Sequence, residues 1–100
     1  MEKIILFGAG LHALTCVDIL EKQGRYEILG YIDSIKHPGT LVAGYPVLGQ
    51  HADIANVLQV NNLHSGLISI GDNWSRYQVY QEICRMVPDF SFVNAIHPEV

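Results

Sequence analysis

The stretch that decides the fold is KIILFGAGLHA, residues 3–13. Residues 3–7 form a short run, apolar after Lys3, that stops at a glycine, which is typical of a strand buried on both faces of a parallel sheet. The next residues follow the pattern G-x-G-x-x-A and lead directly into a helical pattern. Such a loop lets the backbone turn tightly and approach a ligand, and the positive end of the helix favours a phosphate. The stretch therefore predicts a strand, a loop and a helix around a candidate anion site.

Strand and helix patterns alternate along the rest of the chain. The predicted elements are a helix at Leu11–Lys22, a strand at Tyr26–Ile32, a short helix at Asp53–Val60, a strand at Leu67–Ile70, a helix from Trp74 to about Val87, and a strand at Phe90–Ala95. The core-facing side of the last helix is predicted to hold Tyr77, Val79, Tyr80, Ile83 and Val87. Residues 34–49 are rich in turn residues and hold at most one short strand, at Thr40–Ala43. This order predicts an α/β domain of three layers, αβα, around a mainly parallel sheet of about four strands.

The composition excludes several classes of function. Six basic and ten acidic residues give a net charge of −4, and without a basic cluster the chain is not expected to bind nucleic acid. The first apolar run, Ile4–Phe7, is too short for a signal peptide or a membrane span. The two cysteines, Cys16 and Cys84, have no metal spacing and are expected to be reduced. We therefore expect a cytoplasmic protein that does not bind a membrane.

The charged residues are unusually few for a domain of this size. They make up 16% of the 100 residues, against about 25% in soluble domains generally. A surface so poor in charge suggests that part of it is normally covered by a partner subunit or by another domain.

Three loops at the carboxyl ends of the predicted strands hold the candidate ligand residues, because sheets of this kind bind ligands there. The residues are Gly8, Ala9, Gly10, Leu11 and His12 in the first loop, Asp33, Ser34 and Lys36 in the second, and Gly71, Asp72 and Asn73 in the third. Asp33 closes its strand where an acid commonly accepts hydrogen bonds from ribose hydroxyls. Asp72 and Asn73 are equally suited to cap the following helix, and Arg76 is either a surface charge or an anion clamp.

No catalytic or metal-binding pattern is present in the sequence. The histidines at 37, 51 and 64 lie in predicted loops without the spacing of metal ligands. No nucleophile, base and acid occur in a recognisable arrangement, so the candidate site is one for binding.

Five segments occur in the order and spacing of one known family. They are MEKIILFGAGLH at 1–12, ILGYID at 28–33, GYPVLG at 44–49, SIGDN at 69–73 with Arg76, and AIHP at 95–98. Over all 100 residues the chain resembles the N-terminal domain of the sugar O- and N-acyltransferases of the sialic-acid and bacillosamine pathways, the NeuD/PglD-like group. Leu11 and Ala13 stand where the family's loop usually has glycine, and Ser34 stands where it often has a second acid.

The resemblance implies that residues 1–100 are one Rossmann-like domain that holds the acceptor of an acetyl transfer, a UDP-sugar or an amino sugar. In the family, a C-terminal left-handed β-helix of hexapeptide repeats binds acetyl-CoA, supplies the catalytic histidine and forms the homotrimer. That β-helix is absent from this chain, so we expect the chain alone to bind no cofactor and to lack catalytic residues.

The resemblance also implies roles for the candidate residues. Gly8, Ala9 and Gly10 would face phosphates with backbone N–H groups, assisted by His12 and Lys36. Asp33 would accept from the nucleoside, residues 71–73 would line the opposite wall, and His97 would lie at the hinge into the β-helix.

Two other functions stay open. The first is the NAD-binding domain of an oxidoreductase, which would share the glycine loop and Asp33. Only the size of the sheet argues against it, since about four strands make one mononucleotide-binding half rather than the six-stranded, two-half dinucleotide site. A non-catalytic regulatory or interaction module would also suit the low charge.

Overall fold

The computed structural model describes residues 1–93, which form one sheet of six strands with helices on both faces. The strands are β1 (Glu2–Phe7), β2 (Tyr26–Ile32), β3 (Leu41–Val42), β4 (Tyr45–Gly49), β5 (Ser65–Ile68) and β6 (Ser91–Phe92). The helices are α1 (Leu11–Gln23), α2 (Ile54–Val60) and α3 (Asn73–Met86), and a 3₁₀ turn at His51–Asp53 precedes α2. The strand order is β3-β4-β2-β1-β5-β6, and only the β3–β4 pair is antiparallel. The predicted three-layer α/β fold with a mainly parallel sheet is confirmed, but the prediction of about four strands is wrong.

The additional strands come from a hairpin in the turn-rich stretch 34–49. β3 and β4 are joined by Ala43 and Gly44, whose φ angles are 51° and 88°. Positive φ at both loop positions gives the two-residue turn that matches the twist of paired strands. Val47 N donates to Thr40 O at 2.8 Å, so the pairing continues past Pro46. β3 lies within the short strand expected at Thr40–Ala43, whereas the sequence does not predict β4, because Pro46 and Gly49 are residues that usually end strands.

Strand β1 divides the hydrophobic core into two layers. Ile4 and Leu6 pack on the side of α1, whereas Ile5 and Phe7 pack on the side of α2 and α3, since alternate residues of a strand point to opposite faces. The helices complete the layers with Ala13, Cys16, Val17 and Leu20 from α1, and with Ile54, Val57, Leu58, Val79 and Ile83 from α2 and α3. The N-terminal apolar run is therefore a central strand, as its sequence predicts.

Helix α3 buries only part of its predicted core side. Val79 and Ile83 are buried, but Tyr77 and Tyr80 are 51% and 46% exposed. Trp74 lies next to Tyr77 in the same row, with 6.2 Å between the ring centroids. The prediction that both tyrosines face the core is wrong, because helical spacing groups aromatic residues on one side without showing which element covers that side.

Two predicted strand ends also move. β5 ends at Ile68 rather than Ile70, so Ser69 and Ile70 belong to the loop that follows. β6 covers Ser91–Phe92, while Ala95 of the predicted last strand and the expected hinge residue His97 lie outside the described residues. Within residues 1–93, no helix has both the length and the apolar character needed to cross a membrane.

Tyr31 joins the hairpin to the central sheet and is fully buried. Its hydroxyl donates to Val42 O at 2.8 Å. Burial, followed by the nearby Tyr45, Glu21 and Cys16, raises the pKa of Tyr31 to about 12.

We predict that Tyr31→Phe lowers the free energy of unfolding by about 1 kcal/mol at pH 7, because the Val42 carbonyl loses its donor. A tyrosine whose pKa is raised by folding contributes stability below its unfolded pKa of about 10, and this contribution is lost as the pH rises through the folded value. Urea unfolding should therefore show a difference between the two proteins that shrinks above pH 10. A difference that stays constant up to pH 12 would contradict this account.

Candidate functional site

The glycine loop is held in place by the ends of the strands on either side of β1. Gly8 N donates to Ile32 O at 2.8 Å, and Gly8 O accepts from Ser69 Oγ at 2.6 Å. Gly8 has φ of +116°, and a Cβ there would lie 2.8 Å from Ile70 Cγ1 and 3.0 Å from Ser69 O. The fold itself therefore requires glycine at position 8.

Asp33 fixes the next residue of the loop. Its Oδ1 accepts from Ala9 N at 2.9 Å, and its Oδ2 accepts from Ile35 N at 3.1 Å and Lys36 N at 2.8 Å. Lys36 Nζ in turn donates to Ala9 O at 2.8 Å. Partial burial by itself raises the pKa of the Asp33 carboxyl, but the three N–H donors and the Lys36 charge outweigh it and hold that pKa below its usual value. Asp33 is therefore ionised at neutral pH and links the loop after β2 to the glycine loop.

These bonds change the roles expected for the first loop. The N–H groups of Gly8 and Ala9 donate within the protein, so the expectation that they face a phosphate does not hold in this structure. Gly10, in contrast, is the N-cap of α1 and supplies no side-chain cap, and the first turn holds no acid. Within residues 1–93, the N–H groups of Leu11 and His12 have no acceptor. The backbone donors that remain for an anion are thus those at the start of α1.

A cleft of about 580 Å³ opens at this end of the sheet, and we call it the glycine cleft. Small-molecule sites usually have volumes of roughly 300–1,000 Å³. Of the predicted residues it is lined by Gly8, Gly10, Leu11, His12, Asp33, Ser34 and Gly71. It lies where β1 meets β5, the point at which the chain changes direction across the sheet, and open α/β sheets bind ligands at such points.

Several lining residues could not be identified from the sequence as a group. His51 comes from the 3₁₀ turn, and Ser75, Gln78, Val79 and Glu82 come from one side of α3. The spacing of Gln78 and Glu82 places them on the same helix face. Nothing in the sequence shows that this face turns toward the glycine loop.

The remaining predicted residues do not line the glycine cleft. Ala9 and Lys36 support the loop from behind through the bonds described above. Asp72 caps α3, with its Oδ2 accepting from Ser75 N at 2.8 Å, so the capping role is confirmed. Asn73 Oδ1 accepts a hydrogen bond from Arg76 Nη2. Asn73 and Arg76 line a second cavity on the other side of α3.

This second cavity, which we call the aromatic groove, lies between α1, α3 and β6 and has a volume of about 730 Å³. Its lining includes His12, Cys16, Leu67, Tyr77, Tyr80, Phe92 and Val93. His12 lines both cavities. Burial raises the pKa of the Cys16 thiol, opposed in part by the charge of Arg76, and both Cys16 and Cys84 are free thiols. Within residues 1–93, no three His, Cys, Asp or Glu side chains come together as metal ligands.

Comparison with known proteins gives matches over most of the chain. A family model described as the PglD N-terminal domain matches residues 3–83. Among solved structures, a mutant perosamine N-acetyltransferase from Caulobacter crescentus, in complex with CoA and GDP-perosamine, is 28% identical over 98% of this chain, with a TM-score of 0.83. PerB from the same organism, in complex with the same two molecules, is equally similar in sequence, with a TM-score of 0.81. No curated protein sequence matches.

A more distant structure supports the fold alone. The acetyltransferase domain of PglB from Neisseria gonorrhoeae is 24% identical over 87% of this chain, with a TM-score of 0.70. The chain spans 44% of the length of the Caulobacter crescentus structures and 41% of the length of the Neisseria gonorrhoeae structure.

Asp33→Asn tests the carboxylate that holds the glycine loop. The amide keeps the shape of the side chain but removes the charge and one acceptor, so we predict a loss of about 1–3 kcal/mol in the free energy of unfolding at pH 7. Because the pKa of Asp33 is lowered in the folded protein, this contribution is present at neutral pH and is lost as the pH falls below about 4.

Urea unfolding at pH 7 and pH 3 measures both effects. The matched control is Asp18→Asn, which removes an exposed ion pair of 3.0 Å with Lys22 and should change stability little. An effect of Asp33→Asn that is the same at both pH values would rule out the charge as its cause.

Proposed function

This chain belongs to the PglD N-terminal domain family, and from that premise we propose that it is the acceptor-binding domain of a sugar acetyltransferase. The glycine cleft is the proposed site of a nucleotide-linked sugar. The observation that carries the proposal is the start of α1, which opens onto this cleft with no cap and no acid. The complexes of the Caulobacter crescentus enzymes with GDP-perosamine support the choice of ligand class.

The diphosphate of the ligand would lie at the N–H groups of Leu11 and His12, where the helix dipole favours negative charge. A Cβ on Gly10 would meet no protein atom within 4 Å, so this position leaves space for the ligand. Leu11 is 86% exposed, so the rest of the protein covers little of this residue. The ammonium group of Lys36 offsets the charge of Asp33 close to the proposed phosphate position.

The alternative of an NAD-binding domain has to be weighed again, because its rejection depended on a sheet of about four strands. The sheet has six strands, but β3 and β4 form an edge hairpin rather than a second strand–helix–strand half. Membership of the PglD N-terminal domain family also favours the acceptor role.

The chemistry of acetyl transfer is proposed to lie outside this chain. We propose that acetyl-CoA is the co-substrate of the whole protein, and that a C-terminal left-handed β-helix binds it and forms the homotrimer. CoA in the Caulobacter crescentus structures supports the co-substrate. A cytoplasmic location stays a prediction.

Gly10→Val is the direct test of the proposed site. Gly10 has φ of −89° and ψ of −160°, which valine adopts without strain. Valine is a poorer N-cap than glycine, so the variant should keep the fold with a free energy of unfolding lowered by about 1 kcal/mol, while its side chain fills the cleft.

We expect GDP or UDP to shift the amide signals of residues 8–12, 33–36 and 69–71 in an NMR titration of the wild type. Binding to Gly10→Val should weaken at least about tenfold, which is ~1.4 kcal/mol. Leu14→Ala, an exposed substitution on α1 outside the lining of the cleft, is the control and should bind as well as the wild type. Tight binding of NAD with both diphosphates inactive would favour the oxidoreductase, and no response to any of them would favour a regulatory module.

The chain alone should transfer no acetyl group. In an assay with acetyl-CoA and amino sugars or their nucleotide derivatives, we expect release of free CoA at the rate of a reaction without protein. Release that depends on both the sugar and the chain would show that these residues include a catalytic group.

A further inference from the structure

We propose that the nucleoside held in the glycine cleft is a guanosine, and that Glu82 and His51 recognise its base. This inference rests on the proposed function. Among residues 1–93, two carboxylates line the cleft, those of Asp33 and Glu82. Asp33 already accepts three backbone N–H groups, from Ala9, Ile35 and Lys36. Backbone N–H groups therefore occupy the acceptor oxygens that Asp33 would offer to a nucleoside. Glu82 is the carboxylate that remains for a ligand.

Glu82 has a partner of a useful kind. His51 Nδ1 lies 3.8 Å from Glu82 Oε2. The His51 side chain is 30% exposed and the Glu82 side chain is 41% exposed. This separation is longer than a hydrogen bond, so both groups keep their capacity to bond to a ligand. Gln78 lies one turn earlier on the same face of α3 and lines the same cleft.

The pair presents a pattern that matches one nucleobase edge. A carboxylate offers two adjacent acceptors and an imidazole N–H offers a donor beside them. The Watson–Crick edge of guanine carries two adjacent donors, N1–H and N2–H, next to the O6 acceptor, and proteins often recognise exposed bases by such edges. Uracil has a single donor between two acceptors, and adenine has one donor beside one acceptor, so neither satisfies both oxygens of Glu82 together with His51.

Two apolar side chains also line the cleft. Ile70 and Val79 line it and supply apolar contact for the faces of a base. Glu82 lies on α3, whereas the N–H groups proposed for the diphosphate lie at the start of α1. The negative side chain is thus assigned to the base and the positive helix end to the phosphates.

The experiment is calorimetric titration of the whole 100-residue chain with GDP, IDP, UDP and ADP. IDP lacks the 2-amino group of GDP and so removes one of the two donors to Glu82. We expect GDP to bind most tightly. Glu82→Gln should weaken the binding of GDP at least about tenfold and leave the binding of UDP unchanged. A loss of this size is expected when a bidentate contact to a base is removed. His51→Ala tests the contact to the guanine edge independently and should weaken the binding of GDP but not that of UDP.

Glu27→Gln, an exposed substitution on β2 away from the cleft, is the matched control and should leave all four affinities unchanged. UDP binding more tightly than GDP, with Glu82→Gln silent, would overturn the guanosine proposal and leave the acceptor-binding function standing. Equal losses of GDP and UDP on Glu82→Gln would place the carboxylate on the ribose and also overturn it. Failure of every nucleotide to bind would instead overturn the proposed function itself.

Discussion

The carboxylate of Asp33 is the interaction on which the candidate site depends. It accepts hydrogen bonds from the N–H groups of Ala9, Ile35 and Lys36, and Lys36 returns a bond to Ala9 O. Ser69 Oγ, in the loop directly after β5, donates to Gly8 O. Three strand ends are thereby joined through one loop. Because the loop is already ordered, a ligand that binds there loses little free energy in ordering it.

Much of the fold follows from local patterns in the sequence. The run Ile4–Phe7 identifies the central strand, and the helix predicted at Leu11–Lys22 is α1, which ends at Gly24 with φ of 65° and its N–H bonded to Leu20 O. The edge hairpin and the exposure of Tyr77 and Tyr80 do not follow from local patterns. They depend on which segments meet in space, and spacing along one segment contains no record of its neighbours.

The same division applies to the site. The strand-end loops can be found because parallel strands bring their carboxyl ends together, which the alternation of elements already implies. The position of Asp33 at the end of its strand follows from the sequence. Its hydrogen-bond partners do not, since the same carboxylate can accept from ribose hydroxyls or from backbone N–H groups. Glu82 and His51 are 31 residues apart and meet only through the packing of α3 beside the 3₁₀ turn. Their contribution therefore requires the tertiary structure.

The aromatic row on α3 has a further practical consequence. Trp74 is the only tryptophan of the sequence, is 65% exposed, and lies 6.2 Å from Tyr77, which lines the aromatic groove. An indole in water emits at longer wavelength than one covered by protein. The molecule therefore carries its own fluorophore one helical turn from a residue of the groove, and a partner that covers Trp74 shifts its emission to shorter wavelength without any added label.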